Sequence, residues 1–313
     1  MSSRTTVAAI DCGTNSTRLL VADAEGRPLE RLMRITRLGQ GVDATGRLAP
    51  EAIDRCIAVL DEYREVMDRL GVTRGRLAAT SAARDAANGA EFLQRAGAAT
   101  GLEPELLTGI DEGRLSLTGA VADLDPADGP FLVLDIGGGS TELVAGAGPD
   151  DPELAAVSLQ LGCVRVSERF LDDDQPSADQ LATARREVVE QLDRAVAAHP
   201  RFRSAHCLVG LAGTVSTLVS LHLGMVEYDR DRVHHAVLTA ADVRQWYERL
   251  AADTAAERLA RPGMVEGRQD VIVGGTLILD EVMERLGFAE CLVSEADILD
   301  GLVASQLGGG SGA

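Results

Sequence analysis

Lysine is missing altogether from this 313-residue sequence; every one of its 30 basic side chains other than His is Arg. No phosphate-binding loop of the GxxxxGK type can therefore form, and GxGxxG is also absent, which removes the dinucleotide-binding fingerprint. Aromatic residues are only 3%, so the cores must be built from Ala, Val, Leu and Ile. Positive charge is scarce too. With 49 acidic residues the formal net charge is −19, which argues against non-specific nucleic-acid binding because that rests on neutralising phosphates. An anionic ligand needs a local arginine cluster acting against the global field. Arg suits the task, since its fork binds phosphate oxygens in pairs. The cysteines are five (Cys12, Cys56, Cys163, Cys207, Cys291), widely spaced and without a CxxC pair. That pattern points to reduced thiols in a cytoplasmic protein.

The N-terminal MSSRTT has no signal-peptide pattern. Residues 204–226 contain no Asp, Glu or Arg and are long enough to span a membrane. Two His, two Gly-centred turns and several Ser/Thr within them fit a buried strand followed by a buried helix better. What the chain does have is ample apolar material, 45% of residues against 25% charged, enough for two buried domains.

Those two domains show as an internal repeat. VAAIDCGTNSTRLLV (7–21) and FLVLDIGGGSTELVA (131–145) align at an offset of 124, matching Asp11 to Asp135, Gly13 to Gly137, Ser16 to Ser140 and Thr17 to Thr141. Each copy reads as a β-hairpin whose turn carries small polar residues. Leu38-Gly39 and Leu161-Gly162 end later strand-like runs at nearly the same offset. A long helix follows each: one from Pro50 to just before Gly71, with the stripe Ile53, Ile57, Leu60, Met67, Leu70, and one from Ser177 to about Ala198. The strand-to-turn segments LAATSAAR (77–84) and LVGLAGTVST (208–217) come next. The reading is α/β, with domains at 1–125 and 126–307 joined through ADLDPADGP (122–130). A last amphipathic helix, about 296–307, packs back on the first domain, and 308–313 form a disordered tail.

Asp135-Ile-Gly-Gly-Gly-Ser-Thr-Glu142 carries the chemistry. Glycines without Cβ let backbone N–H groups converge on an anion, Ser140 and Thr141 add hydroxyls, and Asp135 can hold a hydrated Mg²⁺. One such turn could equally be a plain hairpin; the second copy at Asp11–Thr17 favours a phosphate clamp. Glu112 alone looks like a helix-dipole or capping-box acid after Thr108. His234 and His235, read on a strand, point to opposite faces and lack a third ligand. Trp246 and Tyr247 read as helix packing.

In order, IDCGTNSTRLLVAD, ATSAARDAAN, TGIDEGRLSLTGAV, VLDIGGGSTELV, GLAGT and GRQDVIVGGTLIL resemble the exopolyphosphatase / guanosine pentaphosphate phosphohydrolase family over roughly residues 5–305. The closest likeness is to its short, two-domain members. The resemblance implies two duplicated actin-like, RNase H-like ATPase-fold domains with the active site in the cleft between them. It implies release of terminal orthophosphate from inorganic polyphosphate, guanosine pentaphosphate or both. Glu112 matches the family's base on the attacking water. Asp11, Gly13, Thr14, Asn15, Ser16, Arg18 and Arg84 match its phosphate-binding positions, as do Gly137, Gly138, Gly139, Ser140 and Thr141. Asp135 and Glu142 would hold Mg²⁺, with another divalent or a monovalent cation as alternatives. The Arg18 position varies within the family and tunes substrate choice, and Arg268 is expected to reach the cleft. A polyphosphate or guanosine polyphosphate ligand, no nucleic acid, no membrane and a cytoplasmic location go with this reading, and a homodimer is compatible with it. Two rival readings remain: an ATP-dependent small-molecule kinase of the same fold, with GLAGTVST as its adenosine pocket, and a non-catalytic sensor of guanosine polyphosphates. The DEGRL segment favours water as acceptor.

Overall fold

The computed structural model describes residues 5–171 and 174–308. The chain forms two compact units, Met1–Gly119 with Asp297–Ala313, and Ala120–Ala296. The division thus falls at Gly119, ahead of the expected 125/126. Residues 122–130 belong to the second unit and include a short 3-10 turn at Pro126–Asp128. Residues 309–313 of the expected tail lie outside the described residues, while Gly308 ends the last helix.

The first unit runs β1 (Val7–Cys12), β2 (Ser16–Ala22), β3 (Pro28–Ile35), α1 (Val42–Thr45), α2 (Pro50–Arg69), β4 (Arg74–Ala79), α3 (Ser81–Asp85), α4 (Gly89–Thr100), β5 (Pro104–Leu106) and α5 (Gly109–Ala120). Its sheet has the order β3-β2-β1-β4-β5, antiparallel across β1–β3 and parallel from β1 to β5. Every residue of β1 is buried because both faces of the sheet are covered. Alternation then sorts its side chains: Ala8, Ile10 and Cys12 join a core with Leu60, Tyr63 and Phe92, while Val7 and Ala9 join a second core with Ile298 and Leu302. Asp11 is in phase with Val7 and Ala9. Helix α2 starts on Pro50, buries Ile53, Leu60 and Met67 as its stripe requires, and is followed by Gly71 at φ 65. It also buries Tyr63, whose hydroxyl donates to the Thr17 carbonyl at 2.8 Å.

The second unit runs β6 (Phe131–Ile136), β7 (Thr141–Gly146), β8 (Ala155–Leu159), α6 (Cys163–Phe170), α7 (Ala178–Ala198), β9 (Cys207–Leu211), α8 (Ala212–His222), α9 (Arg230–Val233), β10 (Val237–Thr239), α10 (Ala240–Ala252), α11 (Ala255–Ala260), α12 (Ile272–Leu286) and β11 (Glu290–Val293). Its sheet reads β8-β7-β6-β9-β11, the order of the first unit repeated, with β10 added antiparallel at the edge. Helix α7 opens with a capping box in which Ser177 and Gln180 satisfy each other's amides. Residues 204–226 divide into β9 and α8, and no helix among the described residues is long and apolar enough to cross a membrane. Trp246 and Tyr247 are buried on α10. The final helix, α13 (Ile298–Gly308), belongs to the first unit and begins two residues later than the sequence pattern suggests. It is buried rather than amphipathic over its first two turns, and Gly301 lets it close on α5: a Cβ there would lie 2.1 Å from the Leu115 carbonyl oxygen.

Candidate functional site

The two glycine turns are built alike, each within its own unit. In the first, the Gly13 amide bonds the Ser16 carbonyl at 3.0 Å, closing the β1–β2 hairpin. A Cβ on Gly13 would meet that oxygen at 3.1 Å, and one on Gly137 would meet the Ser140 oxygen at 3.0 Å. The following segment then folds under each turn. Amides of Thr36 and Arg37 donate to the Asn15 carbonyl, and that of Gly39 to Thr14. In the second unit, amides of Cys163, Val164 and Arg165 donate to the carbonyls of Gly137 and Gly138, and Arg165 Nε donates to Gly139 at 2.7 Å. The turn carbonyls are thereby occupied, which turns the polarity of each loop toward an anion on its amide side. Two buried hydroxyls at these turns, Thr14 Oγ1 and Thr141 Oγ1, have no hydrogen-bond partner among the described residues. Buried polar atoms rarely go unsatisfied, so both fit a ligand that supplies the partner.

The repeat places Asp11 opposite Arg18 and Asp135 opposite Glu142, at equivalent register positions. The chemistry differs. Arg18 donates to Asp11 Oδ2 from Nε at 3.0 Å and Nη2 at 2.6 Å, and its Nη1 pairs with Asp297. Burial pushes the Asp11 carboxyl up from the usual carboxylate range, against the pull of Arg18. Arg18 is thus anchored between two carboxylates of its own unit. Asp297, which the sequence reading passed over, completes that group; Arg31 also approaches it, at 3.8 Å. In the second unit two carboxylates stand side by side: Asp135 is 6% exposed and Glu142 1%. Ser158 donates to Glu142 Oε1 at 2.7 Å. An all-oxygen pair of this kind suits a hard divalent cation, which would offset the repulsion between two adjacent carboxylates.

Glu112 and Arg84 come together in the first unit. Thr108 caps α5 through Asp111, whose amide donates to Thr108 Oγ1 at 3.2 Å and whose carboxylate accepts a hydrogen bond from that hydroxyl at 2.6 Å. Asp111, not Glu112, is therefore the capping acid. Glu112, one residue on, faces inward, 8% exposed, with its Oε2 3.3 Å from Arg84 Nη1. The same Nη1 donates to the Leu107 carbonyl at 2.8 Å. Arg84 Nη2 is buried with no partner among the described residues. That leaves a cationic N–H group in search of an acceptor, beside a buried carboxylate.

The profile of the Ppx/GppA phosphatase family matches residues 20–309. The chain belongs to the Ppx/GppA phosphatase family. It is 44% identical to "Exopolyphosphatase 2" of Mycobacterium tuberculosis, over 97% of this chain and 99% of that one. The solved structure of the Aquifex aeolicus Ppx/GppA family member superposes with a TM-score of 0.79 at 31% identity, covering 99% of this chain and 100% of that one. An exopolyphosphatase from Cytophaga hutchinsonii superposes with a TM-score of 0.87 at 26% identity, covering 97% and 98%.

Within this Ppx/GppA chain, two sequence readings need amending. His235 adopts φ 62 between α9 and β10, so the rings of His234 and His235 stack, with centroids 3.9 Å apart, instead of facing opposite ways. Asp123 approaches both, at 2.8 Å from His234 Nε2 and 3.6 Å from His235 Nε2. A third group is therefore present, but the Glu295 amide donates to His234 Nδ1 at 3.1 Å. That bond puts the neutral ring's proton on Nε2, leaving no lone pair there for a metal; the cluster is a brace.

The glycine that lies under each turn offers a test of how the turn is packed. A Cβ on Gly162 would fall 2.2 Å from the Gly138 carbonyl oxygen, a backbone atom that cannot rotate away. Gly162→Ala is expected to displace the Gly137–Gly139 turn and destabilise the protein by about 1–3 kcal/mol, as overpacking does. Thermal unfolding reads the stability, and phosphate binding should weaken with it. An unchanged melting midpoint would show that the turn and the segment under it are not in this close contact.

Proposed function

We propose that this protein hydrolyses the terminal phosphoanhydride bond of inorganic polyphosphate, with guanosine pentaphosphate as a second substrate of the same chemistry. The observation that carries this reading is the Arg84–Glu112 pair, with its buried, unpartnered guanidinium nitrogen. A transferring phosphoryl group needs little covalent help; it needs neutralised oxygens and an oriented nucleophile. Arg84 supplies the first by turning Nη2 to a phosphate oxygen. Glu112 supplies the second by accepting a proton from the attacking water. The turns at Gly13–Ser16 and Gly137–Thr141 bind phosphates through amides and the Thr14 and Thr141 hydroxyls. Asp135 and Glu142 hold Mg²⁺, which when bound offsets charge on the phosphate chain. Asp11, paired to Arg18, supports the first turn.

The test is orthophosphate release from polyphosphate and from guanosine pentaphosphate, in Mg²⁺ and after its removal by chelation. Release from polyphosphate that stops on chelation and returns with Mg²⁺ is the expected result. Undiminished release in excess chelator would remove the metal from the account, and no release from either substrate would remove the hydrolase reading.

A further inference from the structure

Helix α13 is separated in sequence from the rest of the first unit by the whole of the second, yet it packs on β1 and β2. At its start Asp297 caps it: Asp297 Oδ1 accepts the Leu299 amide at 2.8 Å, and Asp300 Oδ2 accepts the Asp297 amide at 2.8 Å, two bonds that fix a helix start. The other carboxylate oxygen of Asp297 accepts from Arg18 Nη1. Arg18 in turn holds Asp11 by Oδ2 alone, and Asp11 Oδ1 is buried with no partner among the described residues. The orientation of that carboxylate, two residues ahead of Gly13, therefore depends on Asp297 through Arg18.

The same helix seats the Glu112–Arg84 pair. Two glycines interlock α13 with α5. A Cβ on Gly301 would lie 2.1 Å from the Leu115 carbonyl oxygen, and one on Gly119 would lie 2.0 Å from the Asp297 carbonyl oxygen. Both oxygens are main-chain atoms that cannot rotate away, so the helices have no room to come closer. Leu115 is one turn beyond Glu112 on α5. Leu107, whose carbonyl accepts from Arg84 Nη1, buries its side chain in one cluster with Ile298, Leu299 and Leu302 of α13.

We infer that α13 is the positioning element of the first unit, with Asp297 and Gly301 as its positioning residues. Asp297 sets the first phosphate turn through Arg18 and Asp11. Gly301 sets how closely α5 approaches and so where Glu112 stands. Both act through other residues. The inference rests on the hydrolase reading of those groups, and it assigns a different kinetic signature to each end of one contact.

Steady-state polyphosphate hydrolysis and thermal unfolding of the full chain test it on the wild type, Asp297→Asn and Gly301→Ala. Asparagine is also a good helix cap, so α13 should persist and the unfolding midpoint stay near that of the wild type. Its NH₂, however, puts a donor where Arg18 needs an acceptor. Asp297→Asn should therefore raise KM about tenfold, the worth of one charge-assisted hydrogen bond, and leave kcat within about twofold. Gly301→Ala forces α5 outward and should lower kcat by about 10–10²-fold, as misplacing a reacting group by about 1 Å does, with KM little changed. A helix that merely held the fold together would lower the midpoint and the active fraction but leave KM unmoved. Unchanged KM in Asp297→Asn overturns the proposal, as does unchanged kcat in a folded Gly301→Ala. If Gly301→Ala does not fold, the KM of Asp297→Asn decides alone. A wild type that releases no orthophosphate overturns the hydrolase reading itself, and with it any role for α13 in the reaction.

Discussion

Glu112→Gln is expected to abolish phosphate release while leaving the fold intact. The amide is isosteric with the carboxylate, so α5 and its Thr108–Asp111 cap are untouched. Arg84 Nη1 can still donate to the amide oxygen in place of Glu112 Oε2. What the variant cannot do is accept a proton. Loss of a general base costs about 10²–10⁴ in rate. The checks are turnover on polyphosphate, the affinity for a polyphosphate ligand and the unfolding midpoint. A variant with near-normal turnover and unchanged affinity would show that Glu112 is not the base.

Arg84→Ala should be nearly as damaging, by a different route. It removes the N–H groups proposed to meet the phosphate, each worth about 1.5–3 kcal/mol for a charge-assisted contact. It also strips a buried carboxylate of its ion pair and the Leu107 carbonyl of a donor. Arg84→Lys separates these effects. An ammonium can restore charge beside Glu112 but not the fork that holds a main-chain carbonyl and a phosphate together, so only part of the activity should return. The control must be an exposed arginine. Arg258 lies far from Arg84 in sequence and would look suitable, but it is 3% exposed and donates to the carbonyls of Leu250, Gln269, Asp174 and Asp253. Its loss would unfold rather than discharge. Arg194, 67% exposed and only 3.7 Å from Glu190, is the better choice. Equal, small losses in Arg84→Ala and Arg194→Ala would mean that net charge alone matters.

The legible parts of this molecule were the local ones. A hairpin turn is specified by its own residues, so the match of Gly13 to Gly137 predicted two copies of the same backbone geometry before either was seen. Gly39 and Gly162 belonged to the same pattern because each must fit under its turn, where a Cβ would strike Thr14 or Gly138. Helix α2 could be read from its Pro start and apolar stripe. Partners distant in the chain could not. The resemblance places Arg18 among the phosphate-binding positions, but only folding brings Asp297, 279 residues away, onto its guanidinium. Glu112 and Asp111 are neighbours in sequence with the same charge, and cap chemistry suits either. The turn of the helix makes one the cap and buries the other. The His pair misled for a third reason: periodicity assumes ordinary φ values, and His235 has a positive one.

The measurement that bears most directly on the account is polyphosphate turnover in ¹⁸O-water with no nucleotide present. Hydrolysis at the terminal phosphorus breaks one P–O–P bridge and forms one new P–O bond to the solvent oxygen. The account predicts one ¹⁸O in each orthophosphate released, at a rate that Glu112→Gln lowers by about 10² or more. Orthophosphate lacking the label, or release that requires a nucleotide and a second acceptor, would contradict it.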